Sequence, residues 1–124
     1  QDLQVIDLLS IDTEGNDMNV LYGSIGLLSR HLVRVLEFEV HKVGHWGVSR
    51  LDNVIALLDN LGMVCYWHLN GDHPILRATR CMSEAYETPT IKFWSNMVCV
   101  NQNESRLLHL LESLSDQAEE ALKT

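Results

Sequence analysis

Val5-Ile6-Asp7-Leu8-Leu9-Ser10-Ile11-Asp12-Thr13-Glu14-Gly15 is the stretch that decides how this chain folds. A largely apolar run of strand length ends in a tight acidic turn, and a helical pattern follows. A run that is apolar on both faces suits an interior strand of a parallel sheet, covered by helices above and below. Such a strand needs a neighbour on each side, yet only four residues precede this one. The chain is therefore expected to be the second part of a larger α/β domain, with the acidic turn where such sheets place their chemistry.

Outward from that strand, Gly15 and Asn16 make a turn and a helix cap, and Asp17 suits the helix's N-terminal dipole. Met18, Leu21, Ile25 and Leu28 fall at three- and four-residue steps, one apolar helix face. Gly23 and Gly26 mark where that helix tightens or presses on the sheet. Leu32 to Val40 is predicted as a second strand, with Val35, Leu36, Phe38 and Val40 supplying bulk. The next helix is the best marked: Ser49 and Asp52 have capping-box spacing, Leu51, Val54, Ile55, Leu58 and Leu61 form its face, and Gly62 stands at its stop. Met63 to Leu69 is a third strand, residues 75 to 93 are ambiguous, and Trp94 to Val100 is a fourth. Asn101 is predicted to cap a last helix with Leu107, Leu108, Leu111, Leu114, Ala118 and Leu122 inward. Alternating strands and helices imply an α/β fold with a mainly parallel sheet and helices on both faces. No linker interrupts the 124 residues, so they form a single partial domain.

The bulk numbers exclude several classes. The hydrophobic share is 46% and the charged share 21%, which is globular rather than disordered. With 9 basic and 17 acidic residues the net charge is −8, which argues against nucleic-acid backbones and anionic lipid as partners. No apolar run approaches the ~20 residues of a membrane span. Cys65, Cys81 and Cys99 are odd in number and lack C-x-x-C spacing. They are expected to be buried free thiols, which mildly favours a reducing, cytoplasmic location.

In a parallel sheet the carboxyl ends of the strands share one edge, and ligands bind there. The first strand brings Asp12 and Glu14 to that edge; the second brings Glu37, Glu39 and His41. Neighbouring strands lie ~4.8 Å apart, so adjacent strands let these groups converge on one small ligand or ion. Crowded carboxylates repel, and a general base, an oxygen-ligated cation or a cationic substrate each relieves that repulsion. His45 and Trp46 on the following loop are candidates for lining the pocket. His31, His68, His73 and His109 have no ligand-spaced partner and read as ordinary polar residues; no protein metal site is expected. Neither a G-x-S-x-G elbow nor a phosphate-binding or dinucleotide glycine loop occurs.

Ile6-Asp7-Leu8-Leu9-Ser10-Ile11-Asp12-Thr13-Glu14-Gly15-Asn16-Asp17, then Val20-Leu21-Tyr22-Gly23, then Glu37-Phe38-Glu39-Val40-His41, closely resemble the FkbM family of S-adenosylmethionine-dependent methyltransferases. That family shows an I-D-x-E-G turn, a V-L-x-G helix and a strand ending in F-E, and Trp94 to Val100 is similar to its closing strand. The resemblance covers roughly residues 2 to 101. It implies an incomplete Rossmann-like class I methyltransferase sheet, strands four to seven, with residues 63 to 69 the sixth and 94 to 100 the seventh and antiparallel. The glycine-rich cofactor loop would belong to the preceding half, and the helix from 103 to 124 is an appendage outside the resemblance. Ser10 stands where many members carry Lys, so no role rests on a cation there.

The resemblance further implies an S-adenosylmethionine cofactor and a small-molecule, glycan or lipid methyl acceptor. Methyl transfer is an in-line displacement, so the protein aligns an acceptor oxygen with the methyl carbon and removes a hydroxyl proton. Glu39, Asp12 and His41 are the implied catalytic groups, Asp12 and Glu14 lie toward the cofactor, and Glu14, His45 and Trp46 toward the acceptor. The competing readings are a non-catalytic α/β fragment that pairs with another chain, or self-associates through the exposed first strand, and a cation-binding interaction module.

Overall fold

The computed structural model describes residues 4–11, 17–41, 51–68, 75–81 and 94–123. In chain order the elements are β1 (Ile6–Ile11), α1 (Asp17–Gly23), α2 (Ile25–Ser29), β2 (Val33–His41), α3 (Leu51–Asn60), β3 (Met63–His68), β4 (Ile75–Arg77), β5 (Trp94–Asn101) and α4 (Ser105–Lys123). The five strands form one mixed sheet in the order β1-β2-β5-β3-β4. The fold is α/β, as the alternating pattern implies.

The sheet is not mainly parallel. Only β1 and β2 pair in parallel; β5 lies antiparallel between β2 and β3, and β4 is antiparallel to β3. For β4 the physical reason is connection length. The short link 69–74 returns β3 directly to β4, and a short link joins only antiparallel neighbours. That hairpin arm, Ile75–Arg77, emerges from the stretch whose sequence is ambiguous.

Helices cover both faces. On one, Leu21, Leu28, Leu51, Val54, Ile55 and Leu58 pack on Leu36, Phe38, Met63, Trp67, Met97 and their neighbours. On the other, Leu107, Leu108 and Leu111 of α4 pack with Tyr66, Val100, Val35, Val64, Val98 and Ile75. The α3 face is the predicted one, and Gly62 ends the turn after α3 at φ +82, the left-handed conformation a glycine stop supplies.

Four local expectations need correction. The first helix is two, because the chain turns at Ser24, whose hydroxyl donates back to the Val20 carbonyl at 3.0 Å. Gly23 and Gly26 press on nothing: a β-carbon at either would meet no atom within 4 Å. Asn101 belongs to β5 and is buried, its Oδ1 accepting from the Asn103 amide at 2.9 Å; Glu104 precedes α4 and receives its first helical amide, from Leu108. Leu114, predicted inward, is exposed, while Leu111 and Ala118 are buried as predicted; the side chain of Leu122 lies outside the described residues.

The cysteines also differ from expectation. Cys65 and Cys99 form a disulfide that ties β3 to β5, and Cys81 is free but exposed. They are 34 residues apart in the chain, and only the antiparallel register Cys65↔Cys99 makes them neighbours. The thiol-based ground for a reducing, cytoplasmic location therefore falls. Among the described residues no helix is long and apolar enough to cross a membrane. Closing a loop of this size stabilises by about 3–4 kcal/mol in the chain-entropy account. The Cys65→Ala, Cys99→Ala double variant should lose stability of about that size in urea, and reducing agent should shift the wild-type midpoint but not the variant's. Equal midpoints for all four samples would show that the bond contributes nothing.

Helix α4 is latched as well as packed. Tyr66 donates its hydroxyl to Glu112 Oε1 at 2.6 Å, Arg77 Nη1 donates to the same oxygen at 2.6 Å, and the Arg77 amide donates to Ser115 Oγ at 2.8 Å. Burial, then the hydrogen bond to Glu112, pushes the Tyr66 phenol well above its usual range. A raised folded pKa contributes stability that is fully present below the unfolded value, ~10, and is lost as pH climbs above it. Stability should therefore decline as pH rises past ~10, and Tyr66→Phe should flatten that decline at a cost of about 1–2 kcal/mol at neutral pH. Denaturant midpoints measured from pH 8 to 11 check both; an equally steep decline in the variant would assign it elsewhere.

Candidate functional site

The site is built from the carboxyl ends of β1 and β2. The two strands run parallel in the register Leu8↔Val35, Ser10↔Glu37 and Ile11↔Phe38, so they finish side by side at one edge of the sheet. Ile11 and Phe38 are buried and anchor that edge to the core. Alternation then fixes the faces: Phe38 and Val40 go into the core, while Glu37 and Glu39 project to the other face, both half-buried.

The carboxylates there are separated from the basic groups of the same strand. Arg34, near the amino end of β2, donates from Nε and Nη2 to Glu104 at 2.6 and 3.0 Å and from Nη1 to Asp7 at 3.0 Å. This fork pins the start of α4 to β1 and β2 and holds the Glu104 carboxyl below its usual range through the Arg34 hydrogen bond. A cleft of about 530 Å³ opens beside it, lined by Asp7, Arg34, Glu104 and Arg106 among others. Arg34 is already paired there with Glu104 and Asp7, and the cleft lies at the amino end of β2. It is a brace, not the acidic edge.

Of the residues singled out by sequence, Glu39 is placed at the carboxyl end of β2, and His41 is the last residue of that strand. Asp12 and Glu14 follow Ile11 in the chain, and His45 and Trp46 follow His41; all four lie outside the described residues, as does the side chain of His41. Among the described residues no three His, Cys, Asp or Glu side chains gather as a metal site.

The register adds two residues that the sequence did not single out: Asn96, which it left unmentioned, and His68, which it read as an ordinary polar residue. Glu39 pairs with Asn96 on β5, and Asn96 pairs with His68 on β3. Asn96 gave little sequence signal, since Ser95 beside it is polar too, and His68 carried none.

The family model described as the methyltransferase FkbM domain matches residues 1–65, just over half of the chain, running from before β1 into β3. The chain belongs to the FkbM methyltransferase family. The matched segment holds the parallel β1–β2 pair, with Ile11 opposite Phe38 at one edge of the sheet. No curated protein and no solved structure matches the chain.

Proposed function

We propose that this chain forms the acceptor-side part of an S-adenosylmethionine-dependent O-methyltransferase, with Glu39 as the base that takes the acceptor's hydroxyl proton. The observation that carries the reading is the parallel pairing of β1 and β2, with Ile11 opposite Phe38, immediately before Asp12 and Glu39. S-adenosylmethionine, when bound, supplies an electrophilic methyl on a sulfonium cation. The donor set fits that charge: Glu37 and Glu39 face one side at the carboxyl end of β2, while Arg34 is engaged by carboxylates toward the other end. In this reading Asp12 and Glu14 stand toward the cofactor, His41 assists proton removal, and Glu14, His45 and Trp46 contact the acceptor.

The strand order supports a class I methyltransferase sheet. An antiparallel β5 between β2 and β3, which run in the same direction, is what the fifth, seventh and sixth strands of such a sheet provide, with β1 as the fourth. Incubating the intact protein with methyl-labelled S-adenosylmethionine and hydroxylated acceptors (sugars, lipids and small alcohols) tests the reading. Label in an ether-linked methyl group is expected. Label only on nitrogen or carbon, or none with any acceptor, overturns it.

One observation favours a second reading, a module that self-associates through β1. Among the described strands β1 has a neighbour only on its β2 side, and Leu8 in it, at 55% exposure, and Val5 just before it, at 53%, are exposed apolar residues. In that case sedimentation should show concentration-dependent association that Leu8→Lys abolishes. A monomer at all concentrations excludes it.

A further inference from the structure

Helix α4 carries an outer face that does not pack on the sheet. Leu111, Ser115 and Ala118 are buried beneath the helix, while Leu110 and Leu114 stand at 54% and 37% exposure. With half-buried Leu107 and exposed Gln117 they fall at alternating three- and four-residue steps, the spacing of a helix-pairing seam. Arg106, Ser113 and Glu120, all exposed, lie seven residues apart along one flank of that seam. The charges are also ordered along the helix. Arg106 is in the first turn and His109 follows, whereas Asp116, Glu119 and Glu120 gather toward the far end. Apart from Lys123, this order opposes the helix dipole, so it costs the isolated helix stability rather than adding it.

We propose that this face docks a second copy of the chain, the two α4 helices packing antiparallel about a two-fold axis beside Ser113. A single register satisfies the whole face. Laid end for end, it sets Leu110 against the partner's Leu114, Arg106 against the partner's Glu120 and His109 toward the partner's Asp116, each twice by symmetry. Ser113, a small residue, lies nearest the axis. A parallel pair would instead set Arg106 against its own copy and Glu120 against its own, like charge on like. The charges therefore select both the occupant and its direction, because the surface that complements this face is the face itself. Leucines at the centre and charged pairs at the rim are also how protein interfaces divide their chemistry. Helix α4 lies beyond residues 1–65, which match the family model, and apart from the β1 edge. The dimer face is thus independent of the methyltransferase reading and of pairing through β1.

Sedimentation equilibrium of the intact protein in low-salt buffer tests this. A reversible monomer–dimer equilibrium that weakens as salt is added is expected. The Leu110→Glu, Leu114→Glu double variant should be monomeric with a melting temperature within a few degrees of wild type, since both leucines are exposed. Arg106→Glu and Glu120→Arg should each weaken the dimer about ten-fold, and the two together in one chain should restore it. Fourteen residues of helix separate them by about 21 Å, so they cannot compensate within a chain, and a parallel pair would not be restored. This exchange reads the interface even if the leucine variant folds poorly. A monomer at all concentrations overturns the proposal. So does a dimer that Leu8→Lys abolishes and the α4 variants leave unmoved, which would belong to β1. Failure of the combined charge exchange to recover the affinity lost in the single variants overturns it as well.

Discussion

Glu39→Gln in the intact protein is expected to lower methyl-transfer turnover by 10²–10⁴-fold, the usual range for a positioned general base. A hundredfold loss corresponds to about 2.7 kcal/mol of barrier. The amide keeps the size of the side chain and its capacity to accept a hydrogen bond, but it no longer takes a proton at neutral pH. Folding should change little. Glu39 is half-buried at the carboxyl end of β2, with its neighbours Phe38 and Val40 carrying the packing. A change within about 1 kcal/mol is therefore expected in denaturant titration. The comparison is what matters: large loss of kcat with a near-native midpoint assigns Glu39 to chemistry. Turnover equal to wild type removes that assignment, and a parallel collapse of stability makes the residue a structural one.

Removing α4 by ending the chain after Asn103 should have the largest effect on folding. It uncovers Tyr66 and Val100, both fully buried, together with the flanking Val35, Val64, Val98 and Ile75. Re-exposing one large apolar side chain costs about 1.5–3 kcal/mol, and domains are stable by only about 5–15 kcal/mol in total. The truncation also strips Arg34 of Glu104 and Arg77 of Glu112, ending two cross-links between helix and sheet. The shortened chain should therefore lose its cooperative melting transition, bind a hydrophobic dye and aggregate. A soluble product with an unchanged transition would show that α4 is a tail, not a layer of the fold.

How far these conclusions were legible in the sequence varies from element to element, for physical reasons. The face and stop of helix α3 were readable, because Leu51, Val54, Ile55 and Leu58 repeat at the helical period and Gly62 takes the left-handed stop; the expected cap at Ser49 lies outside the described residues. The strands were readable as runs, and β1 and β2 as a parallel pair. The order of the other strands was not legible in local pattern; only the family resemblance implied that 94–100 is an antiparallel closing strand. Nothing local in Trp94 to Asn101 says that the strand inserts between β2 and β3, since that placement is decided by non-local pairing. The same non-local fact hid three further features. Cys65 and Cys99 looked unrelated until the register made them partners. Asn96 and His68 became neighbours of Glu39 only through the inserted strand. Asn101 carried the composition of a helix cap, yet it sits at the end of β5 and stabilises the turn before α4. The carboxyl end of β2, where Glu37 and Glu39 stand, was visible early, because parallel sheets put ligands at that edge; Asp12 and Glu14 lie outside the described residues.

The claim on which the rest depends is that the carboxyl ends of β1 and β2 form the reacting edge. Amide-shift mapping of S-adenosylmethionine on the ¹⁵N-labelled intact protein tests it most directly. The account predicts saturable shifts that are largest at Ser10, Ile11, Phe38 and Glu39. Shifts confined to Arg34 and residues 103–107 at the opposite end of β2, or no shifts along either strand, would contradict it.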